Sequence, residues 1–386
     1  MKRKVLAVIM AVMMFVITFA GLSSASEIPL DGSWPEETLK IAMEIYDTTD
    51  STILADIAYF DYLSQFFNIE LYISESIGSA EQEHEFVANC AAAGCKIYYA
   101  AYNVSQDALI DAVTQYGMYY ISPERVFDEK HADNPYYLGG YNVVCGGKQL
   151  GNGSYMIGYE IAYGLAKSGC KHVAYCNGGA SFGVEIFMDI QDGFFAGIEA
   201  AQQDGYEIAF DPASDVVDGF PGTDEFASRM AQVLSADYDG IGISFSAMEV
   251  WIQPILDAGK AGQIKIAGVG NVSDTLLGIA EMDMLSTLIY QCEEIAFGNM
   301  IPIALNAGTG HSDFIKGEDG CMSLDADIWV IDNVEDMQAI YEKHEAGEYY
   351  VTGEDVASLL VELNPELTRE EFLEYYKSRT LENCVR

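Results

Sequence analysis

Positive charge is what this chain has least of. Its 386 residues carry 19 Lys and Arg against 60 Asp and Glu, a formal net charge of −41. Three basic residues, Lys2, Arg3 and Lys4, sit ahead of an apolar stretch, so removal of that segment leaves −44 (−41 − 3). Nucleic acid and anionic membrane surfaces are thereby excluded as partners. The acids are scattered among apolar positions and form no low-complexity block, which reads as a solvated acidic surface.

Histidine is also scarce. His84, His131, His172, His311 and His344 stand far apart, and the cysteines lack paired short spacings, so no zinc pattern survives and no metal is expected. There is no nucleophile elbow, no His pair at helical spacing and no phosphate-binding Gly-Lys-Ser/Thr loop. The stretches Gly146-Gly147-Lys148 and Gly178-Gly179 lack the other positions of a dinucleotide fingerprint and read as loop or hinge. No catalytic residue and no cofactor are expected. An N-terminal helix-turn-helix is absent too, which excludes an intracellular repressor.

What stands at the N-terminus is an export signal. Basic Met1-Lys2-Arg3-Lys4 is followed by apolar Val5 to Ala20 and by small residues in Gly21-Leu22-Ser23-Ser24-Ala25-Ser26, so residues 1–25 are expected to be a cleaved signal peptide. No Cys follows Leu22 closely, so a lipid-attachment site is missing and the mode of surface retention stays open. Among the eight cysteines only Cys90 with Cys95 is a locally plausible disulfide; Cys170 and Cys176 bracket a strand that holds its ends too far apart. Free, buried thiols are the alternative.

After the signal, apolar runs at strand length alternate with apolar residues at helical spacing. Strands are predicted at 41–46, 69–73, 96–102, 118–122, 172–176, 206–210, 240–244, 264–269, 284–290 and 327–331. Such alternation implies parallel sheets with helices on both faces, and about 360 residues suit two lobes better than one core. The tail from Gly353 to Arg386 has two helical stretches parted by Asn364-Pro365 and reads as an added cap.

A family resemblance becomes specific between Tyr137 and Gly193. Tyr-Leu-Gly-Gly-Tyr-Asn at 137 to 142, Lys171-His172-Val173-Ala174-Tyr175, Asn177-Gly178-Gly179 and Gln191-Asp192-Gly193-Phe194 resemble the type I periplasmic binding proteins, particularly the sugar-binding branch. Ala258-Gly259, Ile264 to Gly268 and Ser286 to Gln291 continue the resemblance, which covers Leu39 to Asn333 in order. It implies an α/β fold of two Rossmann-like lobes with parallel sheets, joined by three crossings near Leu138 to Asn142, Tyr290 to Gln291 and Ala307 to Gly317. The implied lobes are 38–139 with 292–307 and 140–290 with 318–345, followed by a helical extension, 346–386.

Ligand is expected beyond the carboxyl ends of the strands, where loops and helix N-termini present free donors. The candidates there are Asp47, Thr48, Asp50, Tyr102, Asn103, Glu124, Asn142, Asn177, Phe182, Ser244, Phe245, Asn271 and Gln291. Gln291 matches a position that contacts sugar in the family. Asp47, Thr48 and Asp50 read equally well as turn and N-cap residues, Tyr102 and Trp251 as core, and Asn142 as a hinge turn. Two departures matter: where sugar-binding relatives carry a ring-gripping Arg, this chain has Asp189-Ile190-Gln191, and where they carry a ligand Asp it has Gly270-Asn271. Without that fork-shaped donor and its acidic counterpart, a simple pentose or hexose is in doubt, and a ligand that is less hydroxylated, more aromatic or held by Tyr-rich loops comes into play.

The resemblance implies the extracytoplasmic solute-binding subunit of an ABC importer, a monomer that closes on a small ligand and docks on a membrane permease. A sensory receptor of the same fold, feeding a membrane signalling protein, is the alternative. A secreted hydrolase would need an acid-base pair or an activated nucleophile in the cleft.

Overall fold

Parallel strands cannot be joined by tight turns, so every pair needs a crossover of a dozen or more residues. The computed structural model shows where those crossovers lead. It describes residues 28–386 except 46, 47, 49, 78, 101–105, 123, 124, 127, 220, 246, 247, 291 and 292, and the side chains of 128, 129 and 182 also lie outside the description. The expected signal peptide lies outside the described residues. Among the described residues no helix is long and apolar enough to cross a membrane.

Among the described residues the twelve strands are β1 (Leu39–Glu44), β2 (Ile69–Ile73), β3 (Ile97–Ala100), β4 (Tyr119–Ser122), β5 (Tyr137–Val144), β6 (Val173–Cys176), β7 (Val216–Val217), β8 (Gly240–Ile243), β9 (Lys265–Val269), β10 (Leu285–Tyr290), β11 (Met322–Asp327) and β12 (Trp329–Ile331). They form two six-stranded sheets, ordered β2-β1-β3-β4-β5-β11 and β7-β6-β8-β9-β10-β12. All pairings are parallel except that of β12 with β10. The expected fold, two Rossmann-like sheets flanked by helices, is thus what the chain adopts. Strands β3, β6 and β8 are buried along their whole length, as strands covered on both faces must be.

Two of the three crossings differ from expectation in place, and the second falls where expected, after Tyr290. β5 belongs wholly to the first sheet, so the chain leaves it after Val144 and not within Leu138 to Asn142. It returns just after β10, where a Cβ on Gly298 would lie 2.5 Å from the ring of Tyr59 in the helix Ser51–Leu63. The stretch Ala307 to Gly317 is no crossing. It stays with the first sheet, where Lys316 Nζ donates to the carbonyls of Asn134 (2.9 Å) and Tyr137 (2.7 Å). The single strand expected at 327–331 is in fact two: β11 pairs with β5, β12 pairs with β10, and the chain changes sheet at Ile328, whose N–H donates to Val144 O at 2.9 Å. The strand expected at 206–210 is reduced to a bridge between Ala209 and His172, because a turn closed by Asp211 N–H on Asp215 Oδ2 (2.7 Å) interrupts the edge before β7.

The C-terminal extension straddles these crossings. Two capping boxes, Thr352 with Asp355 and Thr368 with Glu371, start its helices Gly353–Ser358 and Arg369–Lys377. On the first-sheet side, the buried amide of Asn306 donates to Leu359 O (2.9 Å) and accepts from Val361 N–H (2.9 Å), while Tyr59 OH donates to Val351 O (2.9 Å). On the second-sheet side, Trp329 Nε1 donates to Arg379 O (3.0 Å) and Arg386 pairs with Asp336 (2.6 Å). The added cap is therefore a strap across the hinge.

Seven cysteines are described, and all are free thiols. Cys90 and Cys95 do meet: their mutual hydrogen bond is the first cause both of the rise of the Cys90 pKa and of the lowering of the Cys95 pKa.

In an acid-rich chain the first sheet buries a carboxyl at the end of β1. Glu44 is fully enclosed, and Tyr98 OH donates to its Oε2 at 2.6 Å. Burial, opposed by the Tyr98 bond and helped by the facing Glu83, pushes its pKa up to about 9 from 4.5. A carboxyl raised in this way adds stability in full below the unfolded value and loses it as pH climbs through the folded one. Glu44→Gln, which keeps the shape without the charge, is expected to flatten the fall of stability from pH 6 to 9 and to add about 1–3 kcal/mol at pH 7. Denaturant titrations at stepped pH check this; parallel curves for the two proteins would show that Glu44 is ordinary.

Candidate ligand site

Both sheets follow the same winding, in which the order reverses beside the first strand: between β1 and β3 in one, between β6 and β8 in the other. Connections leave on opposite faces there, and a crevice opens beyond the carboxyl ends. In the second sheet this switch point is sharply defined. Cys176 and Ile243 are register partners, and Ser244 N–H donates to Cys176 O at 3.1 Å, so Asn177 and Ser244 emerge side by side.

Both side chains are buried, at 3% and 2% exposure. Asn177 Nδ2 donates to Asp218 Oδ1 (2.6 Å) and Gln191 Oε1 (3.3 Å), but its Oδ1 has no hydrogen-bond partner. Ser244 Oγ has none either, nor has the hydroxyl of Tyr175, whose pKa burial raises against a lowering influence of Ser244. Buried polar atoms left unmatched cost about 1–3 kcal/mol each, which a hydrogen-bonding ligand recovers. Gly178 has φ +58°, and a Cβ there would come within 3.1 Å of the Phe245 ring and 3.2 Å of Ser244 Oγ, so only glycine leaves this approach open. Phe245 and Phe187 meet edge to face (6.4 Å, 78°) and supply an apolar wall beside the two polar groups.

The loop ends of the two sheets face each other. Asn271, after β9, donates its amide to Ser51 O at 3.1 Å, at the start of the helix that follows β1. A stronger link joins Arg125, after β4, to the helix Glu185–Gln203. Its guanidinium reaches both oxygens of Asp189 (2.6 and 2.7 Å) and Glu185 Oε2 (2.9 Å). The pair packs on Gly153 in the first crossing, where a Cβ would lie 2.2 Å from Asp189 Oδ2. Burial pushes Asp189 up to about 6, against the pull of Arg125, with Glu185 adding to the rise. The ion pair therefore only partly offsets the cost of enclosing its carboxylate.

The other sequence candidates divide. Asp50 caps the helix Ser51–Leu63, accepting from Thr52 N–H (2.8 Å) and Ile53 N–H (3.2 Å). Thr48 is an exposed turn residue. Asn142 sits within β5, where its amide donates to Ser323 Oγ at 2.8 Å across to β11. Phe182 lies in the short turn Ala180–Phe182, its side chain outside the described residues, and Trp251 is core, edge to face with Phe226 (5.9 Å). Asp47, Tyr102, Asn103, Glu124 and Gln291 lie outside the described residues. Sequence reasoning did not single out Arg125, Glu185 or Asp218; a rare cation just past a strand end was the available signal for the first.

No family model matches the chain, and no curated protein matches it. Solved structures do. An ABC transporter solute-binding protein from Bacillus halodurans with bound myo-inositol aligns at TM-score 0.57 and 16% identity over 80% of this chain and 98% of that one. A periplasmic counterpart from Actinobacillus succinogenes with bound D-allose gives 0.57 and 17% over 78% and 99%. The transcription regulator CcpA of Lactococcus lactis gives 0.54 and 14% over 76% and 98%. The fold is that of the type I binding proteins which the sequence resembles, and at such identities fold is what the likeness establishes.

Arg125→Ala would leave Asp189 enclosed without its partner, a loss of about 2–3 kcal/mol for the facing arrangement. Small-angle scattering of the ligand-free protein is expected to show a larger radius of gyration for the variant; identical profiles and melting points would mean that the pair does not hold the two sides together.

Proposed function

We propose that the chain is an exported solute-binding protein, which holds a small hydroxylated or amide-bearing molecule between its sheets and delivers it, as a monomer, to the permease of an ABC importer. The observation that carries this reading is the pair Asn177 and Ser244, adjacent at the switch point of the second sheet, each buried with an oxygen lacking a partner. The apolar edge of Phe187 and Phe245 beside them suits the C–H face of a sugar or polyol, or an aromatic ring. In this reading the lobes are 39–144 with 293–327 and 155–290 with 329–345, and they close by hinge motion around the three crossings. Asp47, Tyr102, Asn103, Glu124 and Gln291 remain candidate ligand residues.

Asp189-Ile190-Gln191, in the segment where the family carries a ring-gripping Arg, is consistent with a changed ligand, since its Asp189 is engaged by Arg125. The solute-binding proteins of this fold hold their solutes without reaction, and we assign this chain no catalytic step. Its acidity and the N-terminal segment that reads as an export signal support an extracytoplasmic location.

A thermal-shift screen of the mature protein against sugars, polyols, nucleosides, amino acids and small aromatics tests the proposal. One class is expected to raise the melting point, with about 2.7 kcal/mol of added stability at a hundredfold excess over Kd. Ser244→Ala and Asn177→Ala should weaken that ligand about tenfold or more. A well-folded protein with no shift, or a shift that both variants leave intact, rejects it.

A further inference from the structure

We propose that Glu293, Glu294 and His344, gathered where the chain leaves the second sheet for the first, form a site for a first-row divalent cation such as Zn²⁺ or Mn²⁺. The acids open the helix Glu293–Ala296 directly after β10, and the histidine lies in the last turn of the helix Val334–Glu345. One ligand atom from each residue falls within 4.8 Å of the others. Glu293 and Glu294 are 5% and 0% exposed. His344 Nε2 lies 3.4 Å from Glu294 Oε1, yet this buried nitrogen makes no hydrogen bond.

The surroundings orient the trio in the way an outer shell orients metal ligands. Tyr290 OH donates to Glu293 Oε2 at 2.6 Å, and Tyr350 N–H donates to Glu294 Oε1 at 2.9 Å. The imidazole, partly exposed but with Nε2 buried, is flanked by Tyr290, Tyr349 and Tyr350, with centroids 6.3, 5.8 and 5.9 Å away. The two enclosed carboxylates thus share the His344 imidazole as a charge partner. Two cations of the neighbouring segments have other partners: Lys343 pairs with Glu348 (3.6 Å) and lies over the ring of Tyr350, and Arg379 pairs with Asp355 (3.5 Å). A divalent cation would balance the charge of the two carboxylates.

One imidazole nitrogen and two carboxylate oxygens suit borderline metals, whereas Ca²⁺ asks for six or more oxygens. Tetrahedral zinc places its donors about 3.3 Å apart, a spacing His344 Nε2 and Glu294 Oε1 already have at 3.4 Å, so only Glu293 would need to move in. The bound ion would join the second crossing to the segment leading into the C-terminal strap. The alternative occupant is a proton on Glu293, which burial and the charge of Glu294 push up to about 7.

The test is calorimetric titration of chelator-treated mature protein with Zn²⁺ and Mn²⁺, with the melting point read in parallel. Saturable one-to-one binding and a rise of several degrees are expected, both lost in His344→Gln and weakened tenfold or more in Glu293→Gln. Should those variants fold poorly, Co²⁺ added to the unmodified protein gives a visible ligand-field spectrum of nitrogen and oxygen coordination. The proposal fails if no saturable binding occurs, if a sulfur-to-cobalt band assigns the ion to the cysteines, or if the melting point responds to pH near 7 and not to metal.

Discussion

A parallel strand must hand its chain to a crossover at its carboxyl end, and every feature of this molecule that bears on function follows from that constraint. Both sheets are wound in the same order, so each has a switch point, and each opens a crevice on the side where its strands finish. The second sheet shows what such a point offers. Asn177 and Ser244 are buried because strands β6 and β8 carry them inward together, and a ligand can complete their hydrogen bonding. The apolar ring edges of Phe187 and Phe245 lie beside them because Gly178 leaves room for the approach.

Scarcity of positive charge shapes the rest. A chain with 19 cations and 60 acids has few cations to spare for the carboxylates it encloses. Three enclosed sites meet the shortage in different ways. Glu44 is held toward its neutral form beside Tyr98; Asp189 receives one of the few arginines, and only part of its burial is offset; Glu293 and Glu294 share one imidazole. The last two stand at the connections between the sheets, with Gly153 in the first crossing and Glu293 at the second. Electrostatics and hinge geometry are therefore coupled here, and the C-terminal strap fixes the same region through Asn306 and Trp329.

Much of this was legible in the residues. Alternating strand and helix periods gave the parallel sheets, and the ordered resemblance from Leu39 to Asn333 gave their pairing into two halves. The errors have physical causes. Asp211 and Asp215 build a turn inside what hydropathy reads as an edge strand, and Asp327 to Ile331 looks like one strand because the change of partner at Ile328 leaves no mark in the pattern. At the site, position after a strand end was a sound guide to Asn177 and Ser244. It was blind to partners: Asp50 is occupied by capping and Asn142 by Ser323, neither of which spacing can foretell. The pair Arg125 and Asp189, 64 residues apart, arises only once both sheets are in place.

The central claim is that ligand lies between the sheets against Asn177 and Ser244. A crystal structure of the mature protein with the ligand that most raises its melting point tests it most directly. The account predicts density in the crevice with polar atoms within hydrogen-bond distance of Asn177 Oδ1 and Ser244 Oγ. Density elsewhere on the molecule, with those two oxygens still unmatched, would contradict it.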